Sequence, residues 1–275
     1  VWEEMAPVSV ARFAADGVEA LDGKIYFVGG ANDSGEKNIA ERYDPTTNQW
    51  ETLAPMTSAR YGVAAAVLNG RLYAIGGIGL PSVEIFDPQT GQWSAGPTLP
   101  SVVQYGTAIA VNGKIVLVGG QNAAGQNINQ VLELDPATNQ WSQKAVMPTT
   151  RHGMKLVYHR NKVWAIGGSG EVSHKNTVES YDPVTDVWST EASLTTARHW
   201  LTAWAANGRI YAAGGVDGGT RLSTIEAYDP LRVQWTVVGS LPESKYLADA
   251  VSLDGKIYVV SGQNSSIFSN KVYAA

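Results

Sequence analysis

Ile75-Gly76-Gly77 closes an apolar stretch, and the chain returns to this ending five more times. Gly29-Gly30, Gly119-Gly120, Gly167-Gly168 and Gly214-Gly215 repeat it, and Ser261-Gly262 is a weaker copy. Successive copies start 47, 43, 48, 47 and 47 residues apart. A period of that size marks a repeat architecture, in which each unit buries its apolar face on the next. The 275 residues therefore read as one tiled domain rather than two unrelated ones.

Around each diglycine the same signals recur. Phe13 to Leu21 reads as a strand of small residues, and Asp22-Gly23 suits a type I′ hairpin turn. Lys24 to Val28 is an apolar strand running into Gly29-Gly30, and Ile39 to Tyr43 is a third strand ending in Asp44-Pro45. Proline fixes φ while aspartate bonds its own backbone, so Asp-Pro marks a turn into a fourth strand carrying Trp50. Hairpin turns recur at Asn69-Gly70, Asn112-Gly113, Asn207-Gly208 and Asp254-Gly255, with Arg160-Asn161 as the exception. Asp-Pro recurs at residues 87, 135, 182 and 229, and the tryptophans in register are Trp2, Trp50, Trp93, Trp141, Trp188 and Trp235. Seven residues separate Tyr43 from Trp50, and the later units keep that spacing. Length varies only between the diglycine and the third strand, in loops where recognition is usually carried.

Composition bounds the function. A net charge of -5 sets up no field for nucleic acid or an anionic membrane, and no apolar run approaches the ~20 residues of a membrane span. The absence of cysteine excludes disulfides, thiolate metal sites and cysteine nucleophiles. It leaves the compartment open, whether cytoplasmic, periplasmic or secreted. The start at Val1 leaves room for a leader or an upstream domain.

A diglycine after an apolar strand, an aromatic about 13 residues on and a tryptophan seven later resembles the kelch repeat. The resemblance covers essentially the whole chain. It implies an all-β, six-bladed propeller with four antiparallel strands per blade around a central channel. The expected blades are about 12–53, 59–96, 103–144, 151–191, 198–238 and 245–275, the last completed by residues 1–4 around Trp2. In that last unit, Leu247 to Leu253, Lys256 to Ser261 and Phe268 to Tyr273 supply three strands. Such a join removes exposed strand edges.

Before each first strand stands a polar position: Arg12, Arg60, Gln104, Arg151, Arg198 and Lys245. The resemblance implies that these loops line the channel mouth, where an arginine fork would suit a carboxylate or phosphate. The other reading is that the arginines bond loop carbonyls or acids and hold the blades. Next in sequence come Phe13, Tyr61, Tyr105, His152, His199 and Tyr246, flat side chains that would stack a sugar, grip a peptide, or pack between blades. Trp200 replaces the glycine of Gly62, Gly106 and Gly153 and is the aromatic expected at a binding face; Trp164 and Trp204 are expected in the core. The loops after the diglycines carry Asn32, Asp33, Asn38, Ser82, Asn122, Asn129, Asn176, Ser223 and Asn264. Of these, Asn38, Ser82, Asn129, Asn176 and Ser223 match ligand-facing positions in kelch domains, while turn chemistry explains each singly. Glu84, Glu179 and Glu226 are expected to pair with the repeated arginines or with backbone.

Enzymatic signatures are thin. His152 and His199 come from adjacent units but lack the carboxylates of a metal site, and neither a nucleophile elbow nor a phosphate loop is present. Galactose-oxidase-like propellers need a cysteine cross-linked to tyrosine, which this chain cannot supply. No cofactor or metal is expected. The first expectation is a non-catalytic, monomeric module that captures an acidic peptide, protein or anionic small molecule. A second is an enzyme on an acidic sugar resembling sialic-acid mutarotases, with His152, His199 and Glu171 as acid–base candidates. A third is a scaffold without a discrete ligand.

Overall fold

The computed structural model describes residues 1–13, 16–265 and 267–275. Six four-stranded antiparallel sheets form the blades, five with their strands in sequence order and the last completed by the chain's first strand. Blade 1 runs Val18–Leu21, Lys24–Val28, Ala40–Asp44 and Gln49–Thr52. The first strands of blades 2 to 6 are Ala64–Leu68, Thr107–Val111, Lys155–His159, Thr202–Ala206 and Asp249–Leu253. Each first strand touches those of both neighbouring blades in cyclic order, so the first strands line the channel and the ring is closed. Among the described residues no helix is long and apolar enough to cross a membrane.

Closure runs through the two termini. Glu3–Met5 pairs antiparallel with Val272–Ala274, as the fourth strand of blade 6. That fourth strand therefore starts one residue after Trp2. The third strand is shorter than the expected Phe268 to Tyr273, because Ile267–Phe268 pairs with Gln263–Asn264 in a separate ribbon. The expected first strand from Phe13 includes Ala14 and Ala15, which lie outside the described residues; the observed strand begins at Val18.

Turn chemistry follows the sequence. Asp22 and Gly23 have φ of 52° and 70°, and Arg160 and Asn161 adopt 50° and 62° without a glycine. Both central residues of a type I′ turn need positive φ, so the Arg-Asn turn keeps the hairpin geometry at a steric cost.

The core is divided by blade. One apolar cluster fills each of the six clefts between neighbours, as where Ile75 and Val83 of blade 2 meet Ala108 and Leu117 of blade 3. The repeated tryptophans staple these clefts. Trp50, Trp93, Trp141, Trp188 and Trp235 donate Nε1–H to the carbonyls of Ala6, Ala54, Pro97, Ala145 and Ala192 at 2.8–2.9 Å, each in the segment that follows the preceding blade. The indole body fills the cleft and its single donor is satisfied across it, which explains why the position is held by tryptophan. Trp164 and Trp204 are 5% and 7% exposed, in the core.

Candidate functional site: the aromatic collar of the channel

The basic positions come first, because the structure places them away from solvent. Arg12, Arg60, Arg151 and Arg198 are 0–1% exposed, as is Lys245. Arg198 donates from Nη1 to the carbonyls of Gly214 and Thr224 at 2.9 and 3.0 Å, and from Nη2 to Glu226 Oε1 at 2.8 Å. Arg60 likewise reaches Gly76 O, Ser82 O, Ser82 Oγ and Glu84. Arg151 reaches Gly167 O and Glu179, Arg12 reaches Gly29 O and Glu41, and Lys245 reaches Ser261 O. Every one of these cations therefore binds the carbonyl of the first residue of its own Gly-Gly or Ser-Gly pair. Burial pulls the pKa of Arg198 down and Glu226 opposes it. The carboxylates also cap loop N–H groups, Glu226 accepting from Thr195 and Thr196 and Glu84 from Thr57 and Ser58. The expectation of a free guanidinium fork at the mouth is thus corrected: each guanidinium is buried and bonds carbonyls and a carboxylate within its own blade. Glu84, Glu179 and Glu226 do pair with the arginines, and Glu41 joins them.

Blade 3 supplies the internal control. Gly77 N–H bonds to Val103 O just as Gly30 N–H bonds to Arg60 O, so Val103, and not Gln104, stands at the arginine position. Val83 and Val131 occupy the same place opposite the second strand, which sets Leu132 where blade 2 has Glu84. Val103 and Leu132 lie together in one apolar cluster. Where the cation is missing its acid is missing too, as expected for a buried pair whose halves cannot be left alone.

The same one-residue offset moves the aromatic positions. Phe13, His152, His199 and Tyr246 form equivalent bridges to Ala31, Ser169, Val216 and Gln263, and in blade 3 Gln104 forms that bridge to Gln121. Tyr105 therefore belongs one step further in, with Gly62, Gly153 and Trp200. These inner positions are linked from blade to blade, Tyr105 N–H to Gly62 O at 2.8 Å, Trp200 N–H to Gly153 O at 2.7 Å and Leu247 N–H to Trp200 O at 3.0 Å. All are left-handed, with φ of 54° at Tyr105, 51° at Trp200 and 61° at both glycines. A large aromatic at a φ that suits glycine carries a backbone cost, which points to a role for the side chain.

The rings meet around the mouth. Phe13 contacts Tyr61 at 5.7 Å between centroids, Tyr61 contacts Tyr105 at 5.8 Å and Tyr105 contacts His152 at 6.0 Å. Trp200 lies against Tyr105, His152, His199 and Tyr246 at 4.2–6.2 Å, so one indole touches rings from four blades. Beneath it is a small cavity of about 20 Å³ lined by Trp200, Tyr105, Leu201 and Leu247, with Asp16 and Lys155 at its floor. Phe13 also packs on Phe268, in keeping with its packing reading.

The histidines are held neutral. Burial, with His174 and His152 nearby, pulls His199 down to about 3, and burial also lowers His152. His152 Nδ1 lies 2.8 Å from Asn127 Oδ1, so that nitrogen carries the hydrogen. Glu171 is exposed and shares an outer groove of about 380 Å³ with His152, Gln121 and Asn127.

The loop residues divide in the same way. Asn38, Asn129 and Asn176 donate their amides to the carbonyls of Met56, Met147 and Leu194, bracing the loop that enters the next blade. Ser82 Oγ accepts from Arg60, and Ser223 accepts Leu241 N–H through its carbonyl. Among the rim groups that sequence reasoning passed over are Gln121, Asn127 and Arg221, whose guanidinium sits 5.3 Å from the Tyr246 ring. Their loop lengths differ between units, so no repeat position announced them.

Comparison with known proteins agrees with this geometry. The KLHDC2/KLHL20/DRC7 Kelch-repeats domain matches residues 16–198, more than half of the chain, and the Kelch motif matches 203–242. The chain is 41% identical over 78 residues to human Kelch-like protein 33, covering 28% of this chain and 14% of that protein. It is 28% identical over 167 residues to mouse Kelch-like protein 35, covering 61% of this chain and 21% of the relative. An Arabidopsis thaliana F-box/kelch-repeat protein is 38% identical over 77 residues, 28% of this chain and 20% of that one. The chain thus spans only a small part of these relatives' length. A solved structure, that of YjhT, superposes with a TM-score of 0.83 over 98% of this chain and 95% of its own, at 18% identity, a likeness of fold. With its repeats matched along most of their length and its six blades closed, the chain belongs to the kelch-repeat family.

Proposed function

We propose that the chain is a recognition module that captures a segment of a partner protein at the aromatic collar. The observation that carries this reading is Trp200, an indole held in a left-handed backbone against rings from four blades, at the position where blades 2 and 4 have Gly62 and Gly153. Tyrosine and tryptophan offer large contact area at low entropic cost, and Gln121 and Asn127 add adaptable hydrogen bonding beside them. The Kelch-like relatives support a protein partner. An acidic side chain in that segment would meet the exposed Arg221 rather than the buried cations.

Selection of a displayed random-peptide library tests the reading. Peptides enriched by the wild-type chain are expected to lose binding to Trp200→Ala and Tyr61→Ala and to keep it with Val184→Ser, on an exposed turn. Enriched acidic peptides are expected to weaken with Arg221→Ala. Equal binding to all four variants would place recognition away from the collar.

A further inference from the structure

The outer rims of the blades are not alike. The fourth strand is the outermost of each sheet, so one of its sides meets no further strand among the described residues. An open edge presents a row of backbone N–H and C=O groups to any passing strand, and proteins blunt it by shortness, charge or proline. Five blades here are blunted. Gln49–Thr52 carries Glu51 and runs on to Pro55, Gln92–Ala95 stops at Gly96-Pro97, and Glu3–Met5 has two glutamates and then Pro7. Gln140–Gln143 is followed by Lys144, and Val187–Thr190 by Glu191.

Blade 5 breaks this rule. Its fourth strand, Gln234–Ser240, has seven residues where the others have three or four. No charged residue or proline occurs from Val233 to Leu241. Along the strand only Trp235 is buried. A bulge, where the register against the third strand shifts between Ile225 and Glu226, leaves Val237 and Val238 both facing out, 56% and 51% exposed.

The exposed apolar surface gathers at the same place. Of the eleven large apolar side chains exposed among the described residues, six are Val184 and Val187 of blade 4 and Leu231, Val233, Val237 and Val238 of blade 5. They occupy the last turns and fourth strands of two neighbouring blades, which Trp235 staples together. Apolar groups concentrated on one side of a ring, rather than scattered singly, mark an interface.

We propose that this edge pairs with the same edge of a second copy of the chain, antiparallel about a two-fold axis, so that two blades become one eight-stranded sheet. The edge itself specifies that occupant. Two identical strands laid antiparallel are self-complementary, which is what a two-fold interface requires. Two chains that each carry a net charge of -5 also meet with least repulsion along a strip without charge. The part of the strand before the bulge, Gln234–Val237, supplies the backbone pairing, and the exposed valines and Leu231 close over its ends. The interface lies on the outer rim, away from the collar, and does not depend on the function assigned there.

Sedimentation equilibrium of the whole chain, from low micromolar to near-millimolar concentration, tests this. The average mass is expected to rise from that of one chain to that of two and then level off. Val237→Lys and Val238→Lys each enter a two-fold interface twice and bring like charges onto the pairing strand, so each should hold the chain at monomer mass across the range. Both positions are exposed, and an unchanged circular dichroism spectrum checks the fold. Val172→Lys, at a still more exposed valine in a blade 4 loop, should leave the dimer intact. In the wild-type chain, amide exchange at Gln234–Val237 should slow as concentration rises, while the fourth strands of the other blades stay unchanged. A wild-type mass that stays at one chain, a dimer that survives both lysine substitutions, or a dimer without added protection at Gln234–Val237 would each overturn the proposal.

Discussion

Replacing Glu226 by leucine tests whether the buried cations hold the blades. Arg198 and Glu226 side chains are both 0% exposed and meet at 2.8 Å. Glu226→Leu alone leaves a guanidinium without its counter-ion and frees the N–H groups of Thr195 and Thr196. Breaking a buried pair in this way costs about 3–5 kcal/mol. Arg198→Val alone strands the carboxylate instead and should cost a similar amount. The double variant reproduces the Val103 and Leu132 arrangement of blade 3, so it is expected to recover much of the loss, a coupling of at least about 2 kcal/mol. Urea unfolding followed by both fluorescence and circular dichroism would measure it, with coincident transitions as the check on two-state behaviour. In thermal melts, each single variant should fall by roughly 6–10 °C, at about 2 °C per kcal/mol for a chain of this size. If the double variant loses as much as both single changes summed, the pair does not act as a unit. If Arg198→Val costs nothing, the guanidinium is not part of the framework, and a ligand-facing role returns.

Two further outcomes follow from single groups. Trp235→Phe removes the Nε1–H bond to Ala192 O across the blade 4–5 cleft and should lower stability by about 1 kcal/mol or more, read as a fall in urea midpoint. An unchanged midpoint would show that the staple contributes nothing. His199 titrates near 3 in the folded chain against 6.5 ordinarily, so its contribution is complete above pH 6.5 and is lost as pH falls towards 3. At pH 5 that loss is about 2 kcal/mol. Asp249, raised to about 7, works in the opposite sense, since the folded chain takes up its proton first as pH falls from 7 towards 4. The wild-type advantage over His199→Phe should therefore shrink between pH 7.5 and pH 5, and a constant difference would refute the assignment.

The repeat made the architecture legible because each of its signals is local. A diglycine ends a strand, Asp22-Gly23 closes a type I′ turn, and the tryptophan seven residues after Tyr43 sits at a fixed place across a two-strand turn. Even closure could be read, since the last unit lacked a tryptophan that the first residues supplied. Trp200 stood out as a departure from a repeated glycine, and the glutamates were legible as partners of the arginines.

What the chain could not tell from its order of residues was which way a side chain faces. Arg60 and Tyr61 are neighbours in sequence, yet one is buried against Gly76 and Glu84 and the other joins the collar. Gln104 was aligned with the basic positions as the polar residue beside Tyr105, but backbone hydrogen bonds place Val103 there. Lys155, Asp16 and Asp249 come from three blades, Asp16 and Asp249 being separated by nearly the whole chain. By itself the sequence determined the blades and their number, because those rest on turns and strand periods within a few residues, and it pointed to closure through the tryptophan missing from the last unit. The tertiary structure alone decided which charges are buried, which rings converge and what the channel holds, because those depend on contacts that exist only once the ring has closed.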